Sequence, residues 1–369
     1  NPHALIEDLS VGQQQRVELL KALYRNARLL ILDEPTAVLT PQEVDEFFGI
    51  VKGLKDDGKG IIFITHKLGE AIEVADRIVV MRGGKVVGEA LPGDVTQQDL
   101  ANMMVGRPVD LTVAKQPATP AEMVLEISDL VVLDERNVKA VNGVSFKVHK
   151  GEIVGIAGVQ GNGQTELIEG ITGLRPVQSG SVMLGEVDIT DSPPRELHEL
   201  GVSHIPEDRQ GSGLVLDFTV AENMILDSYY ARPFSRGVLM DWDVTKEMAE
   251  RLVEQYDVRT PGIDVAVSTL SGGNQQKVIV AREFERKVEL VIAAQPTRGI
   301  DVGSIEYIHS QIVARRDAGA AVLVVSSELD EILALADRIL VLYHGQIAGE
   351  FAPDAAVTDI GLAMLGSTG

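Results

Sequence analysis

The chain has 369 residues, 45% of them hydrophobic, enough for two or three domains of ~100–200 residues with substantial cores. Its net charge of −22 argues against RNA or DNA as the main partner, since such binding is driven by counterion release onto Lys and Arg. Zero cysteines exclude a disulfide framework and thiolate metal sites, and apolar runs such as AAVLVV (320–325) fall far short of the ~20 residues that span a bilayer.

In chain order, the first informative stretch is LSVGQQQRVELLKALYRNARLLILDEPTAVLT (9–40). Asp33 ends an apolar strand, where it is placed to hold the shell of a Mg²⁺ ion, and Glu34 is placed to polarise an attacking water. ITHK then puts His66 at the end of the next strand. A solvated turn would account for a lone Asp-Glu pair, but not for the same signature, DEPT and His at these spacings. PVDLTVAKQPATPAE (108–122) reads as a Pro/Ala-rich linker.

After the linker, VLEISDLVV and AVNGVSFKV within 124–150 read as alternating strands. EIVGIAG is a buried strand that runs into GVQGNGQT (158–165), and QTELIEGITG starts a helix. The loop fits G-x-x-x-x-G-x-[ST], in which Gly158, Gly161 and Gly163 let backbone N–H groups, with that of Asn162, converge on phosphate oxygens. Thr165 is expected to bind Mg²⁺. The usual Lys is replaced by Gln164, which donates hydrogen bonds without charge, so nucleotide binding there is expected to be weaker. IPEDR (205–209) follows, and 218–260 reads as helical. Helices at 272–286 and 303–317 alternate with strands VELVIAA and AAVLVVS, the βαβ pattern of a parallel sheet.

The two ends of this inventory are one repeat. LSVGQ at Leu9 aligns with LSGGN at Leu270, an offset of 261 that holds without a gap to ADRIVV (75–80) against ADRILV (336–341). The second copy starts near Met123, whereas only eight residues precede LSVGQ in the first. Asn1 is therefore expected not to be a natural start. The same offset puts Ala294 for Asp33, Gln295 for Glu34 and Ser327 for His66. With Gln164 in the loop as well, the second copy should be hydrolytically almost silent, since losing a general base alone costs roughly 10²–10⁴ in rate.

LSVGQ, LSGGN, LILDEPT, His66 and GVQGNGQT together resemble the signature, Walker B, switch histidine and Walker A motifs of ATP-binding cassette (ABC) ATPases. The resemblance covers essentially the whole chain. It implies an α/β P-loop NTPase fold with antiparallel β and helical subdomains. One complete cassette (123–369) would follow a linker (108–122) and the C-terminal part of another cassette (1–107). IPEDR, SGGNQQK and PTRGIDVG are similar to the two-cassette importer ATPases for monosaccharides and related solutes. AAQPTRG and YYARPF (229–234) point to their nucleoside branch.

In that family each ATP lies between one cassette's Walker A and the other's signature. Carried over, one site would pair the Gly158–Thr165 loop with Leu9, Ser10, Gly12 and Gln13. Gln164, Ala294, Gln295 and Ser327 all fall on that degenerate side, as does Val11, a position that sugar ATPases also vary. The other site would use Asp33 (Mg²⁺, through water), Glu34 and His66 against Leu270, Ser271, Gly272, Gly273 and Asn274. Glu207 of IPEDR would contact nucleotide and face the membrane partner.

The resemblance further implies ATP and Mg²⁺ as cofactors, a cassette–cassette sandwich, transmembrane permease subunits and, through them, a solute-binding protein, but no nucleic acid. The protein would lie at the cytoplasmic face of the cell membrane without spanning it. No aromatic occupies 133–140, where a base-stacking residue would fall at Glu135. Phe218, Tyr229, Tyr230, Phe234, Trp242 and Tyr256 are expected either to pack the helical subdomain or to line a groove for a membrane subunit. His149, His198, His204, His309 and His344 show no ligand spacing. Two rival readings are a soluble tandem-cassette factor acting on ribosomes or DNA, and a catalytically dead regulatory module.

Overall fold

The computed structural model describes residues 17–18, 20–21, 27–36, 39–109, 113, 115–237 and 239–366. The first signature, Leu9, Ser10, Gly12 and Gln13, lies outside them. The first copy alternates β1 (Leu29–Asp33), α1 (Pro41–Asp56), β2 (Gly60–Ile64) and α2 (Leu68–Val74), then the hairpin β3 (Ile78–Arg82) and β4 (Lys85–Ala90), then α3 (Gln97–Val105). β1 and β2 pair in parallel, Asp33 opposite Ile64. Thr40 starts α1 by accepting the Glu43 amide while Glu43 accepts the Thr40 amide, which satisfies two helix-end donors at once. Phe47, Phe48 and Val51 of α1 bury against Leu32 and Phe63.

The second copy opens with β5 (Met123–Leu133), β6 (Lys139–His149), β7 (Ile153–Ala157), α4 (Gln164–Ile171), β8 (Val177–Leu184) and the short β9 (Val187–Asp188). β6-β5-β8-β9 form an antiparallel sheet. Next come α5 (Pro194–Glu199), β10 (Val202–Ile205), α6 (Val220–Met224), the hairpin β11 (Ser235–Arg236) and β12 (Leu239–Met240), and α7 (Trp242–Gln255). The 218–260 stretch is thus less helical than its pattern predicts: turns and a hairpin separate two helices. α8 (Gly272–Phe284), β13 (Leu290–Ala294), α9 (Val302–Asp317), β14 (Ala321–Ser326), α10 (Leu329–Leu335), β15 (Arg338–Tyr343), β16 (Gln346–Phe351) and α11 (Val357–Met364) complete the described elements.

A six-stranded sheet, β10-β13-β14-β7-β15-β16, carries the second copy, parallel except for β16. Alternate residues of its central strands enter two separate cores. Ile153, Val291 and Val322 pack with helices α8 to α10, while Val154, Ile292 and Leu323 pack with β5, β6, β8 and α4. Both faces are covered, so β7, β13 and β14 are buried along their whole length. In the first copy β1 and β2 pair only with each other, with no described counterpart of β5 to β8, and Ile31 is 63% exposed where its repeat partner Ile292 is 0% exposed.

One ion pair recurs in both copies. Lys55–Asp76 of the first copy is exposed, and its counterpart Arg316–Asp337 is buried. Arg316 also donates to the carbonyl of Gln116, and Lys115 donates to Leu335 O and Asp337 Oδ1, so the linker is bolted to the second copy. Ile153 N donates to the other Asp337 oxygen at 2.9 Å. Asp337→Ala leaves Arg316 paired only with the half-exposed Asp317 (2.6 Å) and strips Ile153 N of its acceptor, and should cost about 1–3 kcal/mol of stability, read as a lower unfolding midpoint in denaturant. Asp76→Ala, at the exposed counterpart, should cost about 0–1 kcal/mol.

The copies meet through reciprocal contacts. Val105 of α3 packs on Gly303 of α9, and Gln42 of α1 packs on Gly361 of α11. By the repeat, α3 corresponds to α11 and α1 to α9, so the seam has a pseudo-two-fold. Ala101, Val109 and Val302 form its apolar centre, with Leu68 and Met104 against them, and Arg107 donates to Glu306 at its rim, 2.9 Å away.

Candidate functional site

β7 delivers the chain to the glycine-rich loop, and Gly163 turns it into α4 with φ 97°. A Cβ at Gly163 would stand 2.1 Å from Ala140 O, so the tight turn requires glycine. A Cβ at Gly158 would meet Leu342 O at 2.7 Å, whereas Gly161 (φ 90°) faces open space. The first N–H groups of α4 have no carbonyl within the helix to bond, which leaves them available to an anion. Asn162 anchors the loop from behind, its side chain accepting from His344 N and its carbonyl from Gly345 N.

The Gln164 side chain turns onto backbone carbonyls. It is 5% exposed, and its amide donates to Gly158 O (3.2 Å) and Ser326 O (3.4 Å). The uncharged amide thus satisfies itself on nearby carbonyls and braces the loop against β14.

A cleft of about 540 Å³, within the usual size range of small-molecule sites, opens over this loop. Gln164, Thr165, Glu207, Arg209, Ala294, Gln295 and Arg298 line it. Glu207 accepts from Thr165 Oγ1 (3.2 Å), Gln160 Nε2 (3.2 Å) and Arg298 Nη1 (2.6 Å). It is a junction of the cleft, not a solvated acidic loop. Arg209, which sequence reasoning missed, donates to the carbonyls of Arg298 and Gly299. Only its place in IPEDR, four residues after the end of β10, could have signalled it.

The signature of the second copy abuts the same arginine. Ser271 is the N-cap of α8, Asn274 Nδ2 donates to Ser271 Oγ (2.9 Å), and Asn274 Oδ1 accepts Arg259 N. Leu270 is buried beneath. A Cβ on Gly272 would meet Arg209 Nη2 at 2.8 Å, and one on Gly273 would meet Ser304 Oγ at 2.1 Å. The Arg209 and Ser304 side chains thus leave no room for a Cβ at either glycine of this helix start.

The two Walker B ends have one backbone and two chemistries. Glu34 (φ 43°) and Gln295 (φ 49°) both sit in the left-handed region, which is costly for non-glycine residues and is held by a shared bond: Glu34 N donates to Ile64 O and Gln295 N to Val325 O. Thr36–Glu70 in the first copy recurs as Thr297–Glu331 in the second. On this scaffold His66 Nδ1 lies 2.7 Å from Glu34 Oε1, while Ser327 Oγ and N donate to Gln295 Oε1 at 3.2 Å. Asp33 ends β1 and is exposed, whereas Ala294 is buried and offers no oxygen. Among the described residues, no cluster of three or more His, Asp or Glu is placed to hold a metal by itself.

The hydrogen bond with His66 is the main cause that holds the Glu34 carboxyl below its ordinary 4.5, and the bond with Glu34 is the main cause that lifts the His66 imidazole above its ordinary 6.5. A raised imidazole stabilises the fold below its unfolded value and loses that effect as pH rises through its folded one. A lowered carboxyl stabilises above its unfolded value and loses the effect as pH falls through its folded one. The pair is strongest between the ordinary values of 4.5 and 6.5 and weakens on either side. His66→Ala should accordingly lower the thermal midpoint most at about pH 5.5 and least above pH 8.

A mostly parallel sheet with a glycine-rich loop at the end of its central strand β7, an antiparallel sheet, a helical lobe and a signature helix defines a P-loop nucleotide-binding cassette. The family model described as ABC transporter matches residues 1–37 and 141–298. The chain is 53% identical over 366 residues to a nucleoside import ATP-binding protein, NupA, of Lactococcus lactis subsp. cremoris, covering 99% of this chain and 72% of that one. It is 50% identical to a guanosine import ATP-binding protein, NupO, of Bacillus subtilis, covering 100% and 72% respectively. A ribose import ATP-binding protein of Streptomyces avermitilis is 40% identical, with 100% and 69% covered. The fold matches a nucleotide-free ATP-binding cassette of an ABC transporter with a TM-score of 0.54 at 25% identity, covering 63% of this chain and 92% of that one.

The chain belongs to the ABC transporter family, as an ATP-binding ATPase component. No helix among its described residues is long and apolar enough to cross a membrane.

Proposed function

We propose that this chain powers import of a simple sugar or nucleoside, with nucleosides favoured, through one hydrolytic and one degenerate ATP site. The observation that carries the asymmetry is the Glu34–His66 pair against Gln295–Ser327 on one repeated backbone. The names of two relatives, NupA and NupO, favour a nucleoside, and the ribose protein keeps sugars open. Nothing in those names favours the ribosome or DNA alternative.

The proposed organisation is a partial first cassette (1–107), a linker (108–122) and a second cassette (123–369). In the hydrolytic site Glu34 orients and polarises the attacking water, and His66 steadies Glu34 and the phosphate side. Ser271, Gly272, Gly273 and Asn274 close the site as a helix start with free N–H groups. Asp33 fits a Mg²⁺ shell because it is an exposed carboxylate beside Glu34. Bound Mg²⁺ would neutralise charge developing on the phosphoryl oxygens. In the second site Thr165 and Glu207 are the oxygen donors left, since Ala294 replaces the carboxylate. That site would hold ATP through the Gly158–Thr165 loop against Leu9, Ser10, Gly12 and Gln13, without turning it over.

The partners would be transmembrane permease subunits and, through them, a solute-binding protein, with this chain on the cytoplasmic face. Phe234 and Tyr256 are buried, whereas Phe218, Tyr229 and Trp242 are nearly half exposed and are the aromatics proposed to meet the permease. The test of the solute is ATP-dependent uptake of labelled guanosine and ribose into vesicles carrying the assembled transporter. Uptake of neither would overturn the import reading.

A further inference from the structure

The turn that follows Glu207 lies along the signature helix. Arg209–Gly213 form a single turn of π-helix, which Asp208 starts by accepting the amides of Gln210 (3.0 Å) and Gly211 (2.9 Å). The Arg209 guanidinium lies against Gly272 of α8, and Gln210 Nε2 donates to Gln275 Oε1 at 3.1 Å. Further on, Gly213 packs on Ile279, and Arg282 Nη1 donates to Gly213 O at 2.9 Å. Positions 272, 275, 279 and 282 share one face of a helix, so the turn is fastened to α8 along most of its length.

Arg209 is the residue of this turn that also lines the cleft. Its Nη1 donates to Arg298 O at 2.7 Å and its Nη2 to Gly299 O at 3.3 Å, while its Nε is buried with no partner among the described residues. A guanidinium held by carbonyls, with one N–H unpaired, adds little stability. What it fixes is the separation of two backbones, the turn at 298–299 and the start of α8. Gly272 makes room for it. The backbone there is an ordinary helix start, the repeat puts Val11 at that position, and a Cβ on Gly272 would stand 2.8 Å from Arg209 Nη2. Beyond the turn, the Arg298 side chain, which the same offset matches to Ala37, donates to Glu207 at 2.6 Å, and Glu207 accepts from Thr165 Oγ1 at 3.2 Å. Hydrogen bonds therefore run without a break from Thr165 of the phosphate loop through Glu207 and Arg298 to Arg209, whose guanidinium rests on the signature.

We propose that Arg209 is a positioning residue for ATP hydrolysis, holding the start of α8 at a fixed place relative to the turn at 298–299 and, through Arg298 and Glu207, to the silent cleft. This rests on the reading that Ser271, Gly272, Gly273 and Asn274 close the hydrolytic site, and it gives the cleft that does not turn over a hold on the site that does.

The test uses the intact protein assembled with its membrane subunits. Arg209→Gln should lower kcat about five- to tenfold with the KM for ATP within about twofold, and Arg209→Lys, which keeps the charge and a donor, should stay within about threefold of the parent. Arg298→Ala should lower kcat about threefold, and in the Arg209→Gln background it should cost less than about twofold more, since both cuts fall on one path. Parental kcat in either single variant, or losses that multiply in the double one, overturns the proposal. Hydrogen exchange over residues 271–276, measured without nucleotide, should be faster in Arg209→Gln at an unchanged thermal midpoint, and unchanged exchange overturns the positioning role. Should Arg209→Gln lose stability, Arg209→Met, which keeps the stem and loses every donor, decides on the same readouts. Parental turnover in Gly273→Ala would overturn the reading of the second signature alone, and the exchange measurement would then judge Arg209 by itself.

Discussion

Glu34→Gln is expected to lower ATP hydrolysis by roughly 10²–10⁴-fold in the assembled transporter, while Gln295→Glu changes it by about twofold or less. The two side chains occupy the same left-handed backbone position at the end of equivalent strands, so the comparison changes chemistry and little else. Gln at position 34 still accepts a hydrogen bond from His66 but no longer takes a proton from water. Glu at position 295 regains a carboxylate, yet it sits beside Ala294 and Ser327 and above a loop whose Gln164 amide is turned onto Gly158 and Ser326. Restoring one of four lost groups should not restore turnover. Steady-state phosphate release from both variants checks this, and equal losses would overturn the division into one active and one silent site.

Gly273→Ala should have the second largest effect. Its Cβ would lie 2.1 Å from Ser304 Oγ and 2.9 Å from Ser304 Cβ, so rotating the serine does not relieve the clash. Ser304 N and Oγ are held by Asp301, which caps α9, and α9 packs on α3 across the seam. The start of α8 must therefore move, at about 1–3 kcal/mol of stability. On the proposed pairing of this signature with the hydrolytic site, a shift of about 1 Å in its N–H groups should reduce ATPase by up to about a hundredfold. Thermal unfolding and kcat measured on the same preparation test both effects. A variant with a displaced midpoint and normal turnover would show that the signature of the second copy does not serve the hydrolytic site.

Much of the site was legible in the sequence because its parts are local. A strand that ends in Asp33-Glu34, a glycine loop before a helix and a repeated offset of 261 are each set by short-range backbone demands, and the structure places β1 and β13 at that offset residue for residue. Glu207 was legible for the same reason, as a position in IPEDR. Arg209 and the inward turn of Gln164 were not, because both depend on carbonyls contributed by β14 and by the turn at 298–299. The helical reading of 218–260 failed where a hairpin of four paired residues interrupts an otherwise helical composition.

By itself the sequence determined that there are two copies, which of them keeps the carboxylate and the imidazole, and where the phosphate loop lies. These follow from residue identity and spacing. Only the tertiary structure decided that Glu34 and Gln295 stand on one strained backbone, that Val105 meets Gly303 and Gln42 meets Gly361 across one seam, and that Arg316–Asp337 is buried under the linker. Such facts depend on which surfaces meet, and a surface is assembled from residues far apart in the chain.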